Sequence, residues 1–276
     1  MSAASDQLEV VTIEGRPRPL HHEDLGAAAD GNGAALNGNG AEATAVLPRI
    51  KGEVVDPAEV GAEVERMGAS EAIAWAIDTF HPALRFAVSF QKTSSVTIDI
   101  AHRIEPEARF FYIDTELLFP ETHQTRDRLA EHFGIEFERF VQDNPPDLRE
   151  RWDAGKWGPN DECCAPRKVA TMRAALVGID CWVSGVRRVD SDTRANAPRF
   201  GWDERFGLWK LNPLADWDDK RVWNYIKDHH VPYNPLHDQG YPSIGCMPCT
   251  SRPGEGEGDR AGRWAGTDRS ECGING

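Results

Sequence analysis

Nowhere does the 276-residue chain approach the roughly 20 consecutive apolar residues that a membrane-spanning helix requires. Its opening residues, MSAASDQLEV, lack both the cationic start and the apolar stretch of a secretory signal. A soluble, cytoplasmic protein is therefore expected. A basic surplus is also missing. The formal net charge of −14 excludes attraction of the whole surface to nucleic acid or anionic membrane, so any anionic ligand has to be caught by a local basic site. The chain has only six cysteines and no export signal. A disulfide framework is not expected, because cytosolic thiols are kept reduced and a chain of this size can build a core without covalent staples.

What is present sorts into three parts. Residues 1–50 read as a disordered leader, since the stretch GAAADGNGAALNGNGAEATAV carries no large apolar side chains to offset its ordering entropy. From Pro57 a helical period begins, with Val60, Val64, Met67, Ile73 and Ile77 spaced near three and four. Apolar runs then alternate with helical patterns: ALRFAVSF, SSVTIDIAHRI, ARFFYID, PETHQTRDRLAEHF and IEFERFV. The helical stretch CCAPRKVATMRAALVG, the strand CWVSGV and the helix DDKRVWNYIKDHH follow. Such alternation predicts βαβ units, and hence an open, mostly parallel sheet with flanking helices over residues 51–250. Ligands of such sheets sit beyond the carboxyl ends of the strands, so the loops SFQKTSS, DTELLFP and SGVRRVDSDTR should converge on one pocket. Residues 251–276 are Pro- and Gly-rich near their start and lack periodicity, which predicts an irregular, mobile tail.

The cysteines carry the chemical information. Cys163 and Cys164 are adjacent, and Cys246 and Cys249 form a C-x-x-C. Four thiolates suit either zinc or an iron–sulfur cluster, and a directly adjacent pair is awkward for one small ion. Pro166 places the first pair near a helix N-terminus, where amides and the macrodipole favour thiolates. Lys168 lies one helical turn after Cys164 on the same face, so its ammonium could offset thiolate charge or meet an anionic ligand. Cys181 opens an apolar run and reads as a buried core thiol without chemistry. Cys272, in the polar tail SECGING, is preceded by Arg252, Arg260, Arg263 and Arg269, any of which could lower a thiol pKa or clamp a phosphate or sulfate.

Together the segments DECCAPRKV, KLNPLADW, VPYNPLHDQGYPSIGCMPCT, RAGRW and SECGI resemble the assimilatory, thioredoxin-dependent adenylyl-sulfate (APS) reductases of the phosphoadenylyl-sulfate (PAPS) reductase family, from about Ala83 to Asn275. The resemblance implies an adenine nucleotide alpha hydrolase-like fold and a [4Fe–4S] cluster on Cys163, Cys164, Cys246 and Cys249. It makes Cys272 the nucleophile that takes up the sulfonyl group, with thioredoxin or a similar dithiol protein as reductant and adenylyl sulfate as substrate. In this frame Lys168 lies between cluster and substrate, and Arg260 and Arg263 bind the phosphosulfate. Ser89, Asp114, Arg187 and Arg188 fall in the nucleotide-binding loops. No nucleic-acid or membrane partner is implied, and a homo-oligomer is left open.

Two positions depart from the family pattern. Asn275 stands where a His is usual after the ECG motif, and SFQKTSS is less Ser-Gly-rich than the usual pyrophosphate loop. The sequence offers no resolving cysteine beside Cys272, so an external dithiol has to regenerate it. Three alternatives stand at this point. They are a reductase for 3′-phosphoadenylyl sulfate, a sulfurtransferase or ATP pyrophosphatase on the same fold (disfavoured because SFQKTSS is not an S-G-G-x-D-S loop), and a non-enzymatic four-cysteine zinc protein.

Overall fold

The computed structural model describes residues 47–142, 144, 147–154, 168–267, 271, 273 and 274. A short antiparallel hairpin, β1 (Arg49–Ile50) and β2 (Glu53–Val54), precedes the first helix. Regular structure thus begins before Pro57, and the Trp209 indole N–H donates to the Arg49 carbonyl at 2.8 Å, tying the hairpin to the sheet. The helical period from Pro57 divides into α1 (Pro57–Glu65) and α2 (Ala69–Phe80). Asp56 caps the first through the Ala58 amide at 2.8 Å, with Pro57 supplying a pre-set φ at the opening turn. Extended backbone at Gly68 starts the second, and Glu71 accepts from the Gly68 N–H at 2.7 Å.

The next elements follow the βα alternation: β3 (Leu84–Ala87), α3 (Lys92–Ile104), β4 (Phe110–Asp114), α4 (Pro120–Phe133), β5 (Phe137–Val141), α5 (Leu148–Asp153) and α6 (Val169–Ala175). Then come β6 (Cys181–Val183), β7 (Phe200–Asp203), β8 (Leu208–Leu211) and α7 (Asp219–Asp228). Six strands form one sheet in the order β5-β4-β3-β6-β8-β7, parallel throughout except that β7 runs antiparallel to β8 at one edge. The strands of the sheet interior read FFYID and CWV because both faces are covered, which removes polar alternation.

One apolar cluster takes in Ile73, Ile77, Phe86, Val96, Ile100, Val183, Trp209 and Ile226. A second gathers Phe111, Met172, Leu176, Ile179, Trp182 and Ile274, the last from the C-terminal segment. The tail is irregular, as its composition implies, and most of its described residues are exposed, but a few pack against the rest. Ser251 N–H donates to Gly262 O at 2.8 Å, and Trp264 is buried. Cys181 is fully buried, and burial, with Asp180 beside it, pushes its thiol well up. Among the described residues no helix is long and apolar enough to cross a membrane.

Candidate active site

The last turns of β3 and β6 set the site. After β3 the chain runs through Ser89 and Phe90, the latter at φ 56°, into the N-terminus of α3. Ser94 Oγ accepts the Ser89 N–H at 2.9 Å, which folds the loop tightly. After β6 comes Gly185, where a Cβ would lie 2.9 Å from Thr93 Oγ1, so glycine permits the two loops to approach. Between them opens a cavity of about 210 Å3, lined by Ser89, Lys92, Thr93, Ser184, Arg187 and Arg194 from the body. Lys168, Cys246, Arg260, Arg263 and Trp264 complete its wall. It lies at the carboxyl ends of parallel strands, and the three loops singled out in the sequence each reach it, the second through Leu118.

A chain of ion pairs runs along the cavity. Lys92 Nζ donates to Asp219 Oδ2 at 2.6 Å, and Arg187 bridges Asp219 and Asp190, each at 2.7 Å. Arg194 reaches Asp190 at 3.4 Å and grips Glu271 with Nε to Oε1 at 2.8 Å and a terminal nitrogen to Oε2 at 2.7 Å. Arg260 joins Glu271 Oε2 at 3.1 Å. Burial and the nearby Arg194 lower the Arg260 guanidinium to about 10, against the opposing pull of Glu271, so it stays charged at neutral pH. Burial pushes the Glu271 carboxyl up, but the bonds and charges of Arg194 and Arg260 outweigh it and hold it below the usual carboxylate range. This series holds four cations and three carboxylates. With Lys168 and Arg263 added on the wall against Asp259, six cations stand against four carboxylates, so the cavity favours an anion inside an acidic chain.

His237 supports this wall from behind. Its Nε2 accepts the Lys92 N–H at 3.1 Å and its Nδ1 faces Tyr241 O at 2.8 Å, which defines a neutral ring protonated at Nδ1. Burial and the Lys92 charge lower it to about 4.

The C-x-x-C sits on a 3-10 turn, Met247–Cys249, with the Cys249 N–H donating to Cys246 O at 3.0 Å. Both thiols are buried, and Cys246 Sγ lies 3.1 Å from Thr115 Oγ1. Arg263 is locked against this turn, donating to Ser243 Oγ and Ile244 O at 3.2 Å each while it stacks 4.6 Å from the Trp264 ring. It passes where a side chain on Gly245 would stand: a Cβ there would lie 2.2 Å from an Arg263 terminal nitrogen. Arg260 lies over the same indole at 5.5 Å. The Trp264 backbone N–H donates to Cys249 O at 3.0 Å, and the residue has φ 53°, a strained value for an aromatic residue.

The structure therefore brings Ser89, Lys168, Arg187, Arg260, Arg263 and Cys246 to one cavity, with Cys249 on the turn behind it. It does not bring Asp114 or Arg188 there. Asp114 caps its own turn through the Glu116 N–H at 2.7 Å and pairs with Arg139 at 2.8 Å. Arg188 points to Glu65 at 2.6 Å and Ala197 O at 2.9 Å. Cys163, Cys164 and Cys272 lie outside the described residues. Among the described residues no group of three or more His, Cys, Asp or Glu could hold a metal ion. Cys246 and Cys249 of the C-x-x-C are two buried soft donors. Sequence reasoning passed over Lys92, Arg194, Trp264 and Glu271, although the first two stand in loops singled out for the pocket and the last is the neighbour of Cys272.

Comparisons with known proteins place the chain in a family. The chain is 42% identical over 214 residues to adenosine 5'-phosphosulfate reductase of Staphylococcus haemolyticus, covering 75% of this chain and 87% of the relative. It is 40% identical to the protein of the same name from Rhodococcus erythropolis, covering 79% and 93%. Among solved structures, phosphoadenylyl-sulfate reductase of Candida auris in a phosphate complex superposes with TM-score 0.60 at 27% identity, over 69% of this chain and 93% of that one. The model of the phosphoadenosine phosphosulfate reductase domain matches residues 83–252, which span every strand of the six-stranded sheet and end just past the C-x-x-C, and the chain belongs to that family.

Proposed function

We propose that this protein reduces adenylyl sulfate to sulfite and AMP, with thioredoxin or a similar dithiol protein as electron donor, in sulfate assimilation toward cysteine. The observation that carries the reading is the cation-lined cavity at the strand ends, flanked by the C-x-x-C turn and by the described residues on either side of Cys272. In the first step the Cys272 thiolate attacks the sulfonyl sulfur. A sulfur–sulfur bond forms, the bond from sulfur to the phosphate oxygen breaks, and AMP leaves with that bonding pair. Lys168, Arg260 and Arg263 offset the phosphate charge that grows on the leaving group. In the second step a thiolate of the reductant attacks Cys272 Sγ and sulfite departs. The reductant's second thiol then cleaves the mixed disulfide, leaving Cys272 reduced and the donor as a disulfide. Per sulfite, one dithiol is oxidised and two electrons pass to sulfur.

Cys163, Cys164, Cys246 and Cys249 would hold the [4Fe–4S] cluster, which the buried pair on the Met247–Cys249 turn fits in donor type. When bound, the cluster supplies a charged group that ties two parts of the chain into one structure. The chain's own residues do the rest. The ion pairs of Lys92 and Arg187 anchor the loops that floor the cavity, Gly185 lets those loops meet, and Trp264 aligns two guanidiniums on one ring.

Adenylyl sulfate is favoured over its 3′-phosphorylated form because relatives at 37–42% identity bear the name adenosine 5'-phosphosulfate reductase, whereas the solved phosphoadenylyl-sulfate reductase stands at 27%. The direct experiment compares sulfite release from the two nucleotides with thioredoxin present. Preference for the 3′-phosphorylated nucleotide would reverse the substrate assignment, and turnover of neither would remove the function.

A further inference from the structure

The described residues around Cys272 meet the body of the protein at three points. The Gly273 carbonyl accepts from Arg205, the Ile274 side chain enters the cluster with Phe111, Met172 and Trp182, and the Glu271 carboxylate meets Arg194, with Arg260 of the tail itself on the same carboxylate. Apolar contact at Ile274 is undirected, whereas the Arg194 fork holds both carboxylate oxygens in one plane and so fixes register as well as depth. Arg260 contributes a third charged donor at 3.1 Å, and Thr193 Oγ1 donates to Oε1 at 3.3 Å. The Glu271 side chain is 8% exposed and that of Arg194 11%, so solvent screens the pair poorly. Both arginines also line the cavity.

We propose that Glu271 is a positioning residue, whose carboxylate, gripped by Arg194 and Arg260, docks the C-terminal segment beside the cavity and sets the fraction of time the adjoining Cys272 spends there. This deepens the function proposed above, since it assigns Cys272 the nucleophile's role. The docking has to be reversible, because the same thiol must meet first a nucleotide and then a second protein. An ion pair is suited to that: it is directional while made, and water can replace it once the segment lifts.

The test uses the full-length protein with Glu271→Gln, which keeps the shape and loses the charge, and Glu271→Asp, which keeps the charge and shortens the reach. The rate at which a bulky maleimide modifies Cys272 without nucleotide, read by peptide mass spectrometry, should rise on the order of tenfold in Glu271→Gln, with Glu271→Asp between. The melting temperature should move little. In turnover kcat should fall by a similar factor while KM for adenylyl sulfate changes less than threefold, about the margin that separates a change in affinity from scatter. If Glu271→Gln does not fold, Arg194→Lys, which keeps the charge and loses the fork, should shift both rates in the same directions. Modification of Cys272 at the unmutated rate in a folded variant would overturn the docking role, even with sulfite production intact. Faster modification in a protein that makes no sulfite from adenylyl sulfate would uphold the docking role and remove the function.

Discussion

Gly245 is where one methyl group should separate binding from folding. Its φ is not positive, so alanine is admissible by backbone, and glycine is required for space alone. A Cβ there would lie 2.2 Å from one Arg263 terminal nitrogen and 2.6 Å from its Cζ. The obstruction is the far end of a flexible side chain, so the fold can relieve it by swinging the guanidinium away rather than by shifting backbone. The swing breaks the bonds to Ser243 Oγ and Ile244 O and removes a cation from the cavity wall. With hydrogen bonds to charged groups worth about 1.5–3 kcal/mol each, loss of a single substrate contact weakens binding roughly 10- to 100-fold. Calorimetric titration of adenylyl sulfate into Gly245→Ala, made in a Cys272→Ser background so that no turnover occurs, measures this directly. Gly258→Ala serves as control, because nothing lies within 4 Å of its added methyl. In Gly245→Ala with Arg263→Ala the space conflict is gone, so the double variant should bind no worse than Arg263→Ala alone. Additive losses in that cycle, or full affinity in Gly245→Ala, would refute the reasoning.

His237 should make stability depend on acid. Its folded pKa of about 4 is below the unfolded value of 6.5, so the unfolded chain takes up the proton first, and stability falls as pH drops from about 6.5 to 4 by at most about 3 kcal/mol. Urea denaturation across that range should show the slope, and His237→Gln should flatten it; an equal slope in the variant would assign it elsewhere. Cys246→Ser and Cys249→Ser should each lose iron and acid-labile sulfide, whereas Cys181→Ser should keep both at a modest stability cost. Full iron in both C-x-x-C variants would remove them as ligands.

The consecutive parallel strands β5, β4, β3 and β6 were legible because they are short apolar runs separated by helical periods, and all four fall within the runs named from sequence. The antiparallel edge was not. The segments that become β7 and β8 fold as a hairpin around Gly207 at φ 66°, and neither reads as a continuous apolar run. The break between α1 and α2 hid within one helical period, since a single glycine with a side-chain cap leaves the spacing of apolar residues almost unchanged. In the site, Arg260, Arg263 and Lys168, each named from a motif, all line the cavity. The ion pairs joining Lys92 to Asp219 and Arg194 to Glu271 were not legible, because the partners are 127 and 77 positions apart and only the fold makes them neighbours.

The chemistry stands or falls on where the sulfonyl group goes. Unmutated protein given adenylyl sulfate without any dithiol should gain about 80 Da, the mass of SO₃, on the peptide that carries Cys272, and thioredoxin should then remove it with release of sulfite. Cys272→Ser should still bind the nucleotide yet gain no mass and release no sulfite. An adduct on any other cysteine, or sulfite at the normal rate from Cys272→Ser, would contradict the mechanism.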